Sequence, residues 1–100
     1  MSGVYIIKNL NKSTEDKLFV KIGCSKDIDK RFSLIKSSHR FNGSLDELEI
    51  YKTIECKSYM KLEKIIHQIM KSRQQVNEWY FTEPNFLEGR LAMVDLNRYN

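Results

Sequence analysis

Two runs of aliphatic and aromatic residues near the start of the chain, Val4–Ile7 and Leu18–Ile22, have the length and composition of β-strands. The polar stretch 9–16 between them predicts a β-hairpin with a long connection. The even-numbered residues of the second run are aliphatic, so strand alternation assigns them to the core face and Lys21 to the opposite face. If the even-numbered residues of the first run also face the core, Tyr5 shares a face with Lys21.

A helix is expected to follow the hairpin at once. Ser25 or Asp27 can cap this helix, and the pattern carries it to about Ser37. Its apolar arc also contains Arg31, whose charge needs an anionic partner or a ligand unless the side chain bends over the helix edge to reach water. Residues 36–46 are polar and basic and predict a loop. The apolar arc consists of Ile28, Phe32, Leu34 and Ile35.

The alternating segment Leu48–Ile54 predicts a third strand, and Ser58 can cap a second helix. On this helix Glu63 lies at the border of the apolar stripe, one turn before His67 on the same flank. The stripe consists of Leu62, Ile65, Ile66, Ile69 and Met70.

The last part of the chain contains a short aromatic segment, Glu78–Phe81, and a final helix that begins at Pro84. There is no internal repeat, low-complexity tract or linker, so we expect a single domain over residues 1–100. The expected fold is α+β. Its small three-stranded antiparallel sheet, made by the hairpin and the third strand, is flanked by helices in the order β-β-α-β-α-α.

The basic residues are more informative in their distribution than in their total. A net charge of +4 and a pI near 9.1 suit a polyanionic partner, but many proteins with no nucleic-acid role are equally basic. The lysines and arginines form two groups, which would suit a phosphate backbone around a cleft or else form two solvated helix faces. The groups are Lys26, Lys30, Arg31, Lys36 and Arg40, and Lys57, Lys61, Lys64, Lys71 and Arg73.

No apolar run approaches the roughly 20 residues that cross a bilayer, and the N-terminus lacks the apolar core of a signal peptide. We therefore expect an intracellular protein, in the cytoplasm or nucleoid of the producing or host cell, that is not secreted. Cys24 and Cys56 are too few for a disulfide framework and are expected to be free thiols. Together with His39 and His67 they form no close ligand pair, so their spacing resembles no standard zinc finger.

Four side chains offer the parts that phosphodiester hydrolysis requires, although each alone is more often a packing or solvated residue. Glu63 offers a hard carboxylate oxygen for Mg²⁺ or Mn²⁺. Arg31 offers a planar fork that can hold two phosphate oxygens. Tyr5 can orient the attacking water, or accept its proton if a nearby cation lowers the phenol pKa. Lys21 can be that cation, or it can contact the phosphate itself.

Several of these residues stand together in a recognisable order. Gly3-Val4-Tyr5, then Lys21-Ile22-Gly23 and then Arg31 resemble the start of a GIY-YIG nuclease domain. The chain is most similar to the viral and phage branch, the T5orf172-like domains, in which the second motif reads Lys-Ile-Gly. Glu63 and His67 match the Glu-x-x-x-His helix of that branch, and the aromatic segment after them matches its Glu-Trp-Phe-like segment. The resemblance covers roughly residues 3–82.

The resemblance implies a divalent-metal-dependent endonuclease that hydrolyses DNA, with Mg²⁺ or Mn²⁺ as cofactor and Glu63 as metal ligand. His67 is then either a phosphate contact or a partner of Glu63, unless it only packs. The catalytic residues would be Tyr5, Lys21, Arg31 and Glu63. The other DNA contacts would come from Lys26, Lys30, Lys36 and Arg40.

The chain departs from the family pattern at two places. Lys21 stands where most members have a tyrosine that accompanies the metal-bound water. Many members also carry an asparagine after the glutamate helix, and here Asn77 can occupy that place or Glu78 can replace it. The identity of the general base therefore stays open.

Two other functions fit the same residues. One is a module of this fold that has lost cleavage and binds nucleic acid or docks to another protein. The other is an interaction domain whose basic helices bind an acidic protein. In the nuclease reading, contact with DNA would be dominated by phosphates, unless a homodimer or a partner chain supplies selectivity.

Overall fold

An antiparallel sheet of five strands forms the centre of the protein. The structure, a computed structural model, describes residues 1–100. The strands are β1 (Gly3–Asn9), β2 (Leu18–Ser25), β3 (Leu48–Glu55), β4 (Gln74–Val76) and β5 (Trp79–Thr82). They lie side by side in the order β3-β1-β2-β5-β4, and every neighbouring pair is antiparallel.

Three α-helices pack on this sheet, and none of them combines the length and apolarity that crossing a bilayer requires. Asp27 caps the first, because its side chain accepts a hydrogen bond from the backbone N–H of Lys30 at 3.2 Å. That helix continues to Phe41, so residues 36–41 are helical and not part of the expected loop. The helices are α1 (Ile28–Phe41), α2 (Tyr59–Ile69) and α3 (Pro84–Ala92), with short 3₁₀ turns at Lys71–Arg73 and Leu96–Tyr99.

The α+β class is as expected, but the three-stranded sheet is wrong, and so is the order of elements derived from it. The observed order is β-β-α-β-α-β-β-α, because the aromatic segment pairs with β2 as β5 and the residues before it form β4. β4 has three residues and β5 has four, which is too short for a visible alternation. The turn between them, Asn77-Glu78, also lacks the Asn-Gly pair that usually announces a hairpin.

Helices cover both faces of the sheet. Five even-numbered residues of β1 and β2 belong to the larger core beneath α2 and α3, namely Val4, Ile6, Leu18, Val20 and Ile22. Tyr5 and Ile7 form a smaller core with Ile28 of α1 on the other face. Because Tyr5 pairs with Gly23 and Ile7 with Lys21, the prediction that Tyr5 and Lys21 share a face is confirmed. That face is not open at Tyr5, however, because α1 buries the side chain almost completely.

The ring of Tyr5 lies directly across Gly23, its partner on β2. A Cβ atom built on Gly23 would overlap the Tyr5 hydroxyl and the ring carbon that carries it, far inside van der Waals contact. The glycine of the Lys-Ile-Gly sequence thus leaves room for the tyrosine, and it lets the hydroxyl pass β2 toward the far side of the strand.

We predict that Gly23→Ala lowers the free energy of unfolding by about 1–3 kcal/mol, because the new methyl group must displace a buried ring. Gly89→Ala is the matched control, since a Cβ there meets no atom within 4 Å, and alanine favours its helix by up to about 1 kcal/mol. Urea unfolding of both variants measures the difference. Equal stability of Gly23→Ala and the parent would contradict the packing described for Tyr5.

Candidate active site

One half of β2 has no neighbour on its outer side. β5 pairs with β2 only from Leu18 to Lys21, and the last bond is donated by the backbone N–H of Ile22 to the carbonyl of Glu78 at 3.1 Å. The remaining residues of β2, from Gly23 to Ser25, form an open edge beside the turn that joins β4 to β5. Side chains from the two faces of the sheet approach each other around this edge.

Three potential metal ligands meet there. Glu63 and His67 extend from α2, one turn apart, and Glu78 extends from the β4–β5 turn. One ligand atom of each lies within 4.8 Å of the others, and all three residues are half-buried. The two carboxylates offer the oxygen ligands that Mg²⁺ and Mn²⁺ prefer, and water and phosphate oxygens can complete the shell of these ions. The imidazole is a ligand more usual for Zn²⁺, Fe²⁺ or Cu²⁺.

The turn between β4 and β5 determines where Glu78 lies. Asn77 adopts a positive φ of 51°, a conformation that asparagine tolerates better than most residues. The side-chain amide of Gln74 donates a hydrogen bond to the Asn77 carbonyl at 2.6 Å and closes the turn. Of the two residues considered for the place after the glutamate helix, Glu78 brings its carboxylate into the cluster, and Asn77 shapes the turn at the rim of the same cleft.

The imidazole of His67 is held by Tyr80, a residue of the aromatic segment that was not expected to take part in the site. Its Nδ1 is hydrogen-bonded to the hydroxyl of Tyr80, a buried residue of β5 on the α2 side of the sheet. Burial raises the pKa of Tyr80, so the hydroxyl stays neutral. When Nδ1–H donates to that oxygen, Nε2 keeps its lone pair for a cation.

Lys21 pairs with a carboxylate of the cluster. Its Nζ lies 2.9 Å from Oε2 of Glu78 and 5.8 Å from the ring centre of Trp79. Of the two roles considered for Lys21, lowering the pKa of Tyr5 is therefore not the one its contacts favour. Its ammonium group instead balances the charge of one acidic ligand.

Arg31 is the cation beside Tyr5. Burial raises the pKa of Tyr5, and the neighbouring guanidinium opposes that rise, while the Glu78 and Glu63 carboxylates add to it. Arg31 itself is an exposed residue of α1, and its guanidinium lies beside the hydroxyl of the buried Tyr5. The Tyr5 hydroxyl is therefore close enough to Arg31, Glu63 and Glu78 for the charge of each to change its pKa.

Cys24 is a further member of the site. Burial raises the pKa of the Cys24 thiol to about 12, and the adjacent Glu63 carboxylate contributes to the rise. The thiol therefore stays protonated and lies beside Glu63 as a weak donor. Its neighbour Cys56 is buried, and both cysteines are free thiols, as expected.

The expected DNA contacts lie outside this cluster, apart from His67. The four basic residues of the first group are exposed on α1 or just before it, and none of them forms an ion pair. Their charges are therefore free to meet phosphates. From the second group, Lys64 and Lys71 line the cleft that contains Glu63 and Glu78. The exposed residues on the α1 side are Lys26, Lys30, Lys36 and Arg40.

Comparison with known proteins identifies the domain family of the chain. The family model described as the T5orf172 domain matches residues 2–94. The chain belongs to the T5orf172 domain family. T5orf172 domains are associated with nuclease-like domains.

A relative of this T5orf172 domain is the "Uncharacterized protein 460R" of Invertebrate iridescent virus 6. It is 34% identical over 72 residues, which cover 72% of this chain and 31% of that protein. The matched region is thus about a third of the length of the relative. No solved structure matches the chain.

We predict that Lys21→Met strengthens Mn²⁺ binding about two- to tenfold, because the ammonium group and a cation compete for the Glu78 carboxylate. Lys52→Met is the control, since it removes a similar pair, 3.0 Å long, with Glu88 on another part of the surface. Calorimetric titration with Mn²⁺ measures both variants. Weaker binding by Lys21→Met, or a parent protein that binds no Mn²⁺, would contradict the assigned ligands.

Proposed function

We propose that this T5orf172 domain is a GIY-YIG-type endonuclease that hydrolyses phosphodiester bonds of DNA with the help of Mg²⁺ or Mn²⁺. The observation that carries the proposal is the meeting of Glu63, His67 and Glu78 at the open edge of β2, with Arg31 and Tyr5 beside them. A module that only binds DNA has no need of two carboxylates next to the phosphates it contacts.

The cation would be held by Glu63, Glu78 and Nε2 of His67. It would supply charge neutralisation on the phosphate oxygens and a lower pKa for a water molecule. The imidazole is oriented by Tyr80, and the thiol of Cys24 lies against Glu63. Such outer contacts fix the direction of metal ligands and influence affinity by about 10–100-fold in known metal sites.

Arg31 binds the phosphate in this proposal. Arg31 is an exposed residue that forms no ion pair with a carboxylate, so its guanidinium can donate to phosphate oxygens as well as lie beside the Tyr5 hydroxyl. Preorganised donors of this kind typically contribute about 10²–10³ in rate, because they stabilise the charge that grows in the transition state.

Tyr5 orients the attacking water. Its ring is fixed between Gly23 and α1, so the hydroxyl has a defined position at the edge of the site. Burial keeps the phenol protonated in the free protein, and each positive charge that arrives beside it brings its pKa closer to that of a base. Lys21 has a separate part, because its ammonium can contact the phosphate once Glu78 has another partner.

One observation favours a second candidate, a DNA-binding module without cleavage. The Lys21–Glu78 pair, 2.9 Å long, neutralises one of the two acidic ligands. Most family members have a tyrosine at the position of Lys21. The lysine of this chain therefore weakens the attraction of the acidic ligands for a cation. The two candidates differ in whether DNA is cut when Mg²⁺ or Mn²⁺ is added.

We predict that Glu63→Gln lowers metal-dependent plasmid nicking by about 10²-fold or more while DNA affinity stays within about twofold. Glutamine keeps the shape of the side chain but removes an anionic ligand, and a cation's contribution to the transition state is several kcal/mol. Glu49→Gln is the matched control, because Glu49 is an exposed residue of β3 outside the cluster.

Nicking is measured with and without Mg²⁺ and Mn²⁺, and affinity is measured by fluorescence anisotropy without added metal. Full nicking by Glu63→Gln at ordinary Mg²⁺ concentrations would refute the role of Glu63. A parent protein that binds DNA but never cuts it would establish the second candidate instead.

A further inference from the structure

A cleft of about 440 Å³ lies between α1 and the sheet, next to the open edge of β2 but separate from the carboxylate cluster. We refer to it as the α1 cleft. It follows α1 from Arg31 to Asn42, a distance of about 16 Å at the rise of an α-helix. Opposite the helix it is bounded by Lys21 and Trp79, which lie in one face of the sheet.

The groups that line the α1 cleft change in character along its length. Lys21 and Arg31 provide positive charge at the end that adjoins the carboxylate cluster. The middle has an aromatic wall, in which the rings of His39 and Trp79 lie 5.9 Å apart. Ser38 and Asn42 add hydrogen-bonding groups near the C-terminal end of α1. Along the cleft in that order, a phosphate would meet the positive charges, a flat ring would meet the aromatic wall, and the polar edge of the ring would meet the hydrogen-bonding groups.

Trp79 is supported as a rigid platform. Its ring stacks on Phe19 with centres 4.9 Å apart and planes 10° from parallel. On the α1 side, Leu34 lines the cleft although 55% of the residue is exposed, so it belongs to neither hydrophobic core. An exposed leucine and a supported tryptophan thus line the same cleft, and aromatic and apolar side chains are the usual surroundings of a stacked nucleobase.

We propose that the α1 cleft binds an unpaired nucleobase next to the phosphate at Arg31, so that the preferred DNA substrate carries a single-stranded or bulged nucleotide at the cleavage position. A base inside a duplex is stacked on both faces and paired at its edge, and it cannot enter a slot of this kind. An unpaired base can stack on Trp79 and present its free edge to Ser38 and Asn42. This inference deepens the proposed nuclease function, since it names the substrate that the site would take.

The test compares two DNA duplexes that differ by one bulged nucleotide, in the absence of divalent cations so that no cleavage is needed. We expect the parent protein to bind the bulged duplex at least about fivefold more tightly, the lower range for stacking one base on an aromatic side chain. Trp79 is the only tryptophan, so stacking is also read directly as quenching of tryptophan fluorescence. A duplex with an abasic bulge should give neither effect.

Two variants of α1 locate the binding site. Leu34→Glu adds a carboxylate inside the α1 cleft and should bring the ratio of the two affinities close to one. Phe41→Glu adds the same charge on the same helix, at a residue that is 91% exposed and does not line the cleft, and it should keep the preference. His39→Ala serves as a second cleft variant, with no charge added and an expected loss of preference.

Equal affinity of the parent for bulged and paired duplexes would overturn the inference, and so would a preference that survives in both cleft variants. Circular dichroism confirms that each variant is folded. The nuclease proposal is judged separately by nicking. If the protein prefers the bulged duplex but never cuts DNA, the α1 cleft stands as a base-binding site and the nuclease proposal is refuted. If the protein cuts DNA without preferring the bulged duplex, the nuclease proposal stands and the inference about the α1 cleft is refuted.

Discussion

The difference in length between β2 and β5 is the constraint on which the rest of the structure depends. β2 has eight residues and β5 has four, so the second half of β2 reaches beyond its neighbour. At that point the sheet no longer separates its two faces. Glu63 from one face and Tyr5 from the other approach the same strand edge, and the turn that begins β5 adds Glu78. A longer β5 would close this edge and keep the two faces apart.

Each charged group at the edge has a partner before any ligand enters, but only one pair consists of opposite charges. Lys21 neutralises Glu78, whereas Arg31 lies against the neutral hydroxyl of Tyr5 and Glu63 lies against the neutral thiol of Cys24. This arrangement reduces the repulsion between two neighbouring carboxylates in a half-buried place. In the proposed nuclease, a cation and a phosphate would have to replace those contacts with interactions that are at least as favourable. Lys21 would then add an electrostatic cost to cation binding.

Much of this arrangement could be predicted from the sequence, and the rest could not for identifiable reasons. The first three strands and all three helices follow from periodicity and capping residues, and strand parity correctly places Tyr5 and Lys21 on one face. Parity gives no information about what covers that face, so the burial of Tyr5 beneath α1 was not predicted. Glu78 was only one of two options, because its position depends on a hairpin whose strands are too short to recognise.

The partners of the site residues were likewise beyond the reach of the sequence. Tyr80 next to His67 and Cys24 next to Glu63 are contacts between distant segments, and no spacing along the chain announces them. The side chain of Arg31 could turn either inward or toward water. The structure shows it exposed, at the side of α1 that borders Tyr5. The T5orf172 family model covers residues 2–94, and the structure adds which of their side chains lie close together.

The central claim is that Glu63, His67 and Glu78 form one cation site at the open edge of β2. A crystal structure with Mn²⁺ and a short DNA duplex tests it most directly, because anomalous scattering locates the ion independently of any assumed mechanism. The account predicts a single strong Mn²⁺ peak bonded to those three side chains, with a phosphate at Arg31 and with Lys21 displaced from Glu78. A Mn²⁺ ion bound at another place, or DNA lying across the opposite side of the protein with this cluster unchanged, would contradict it.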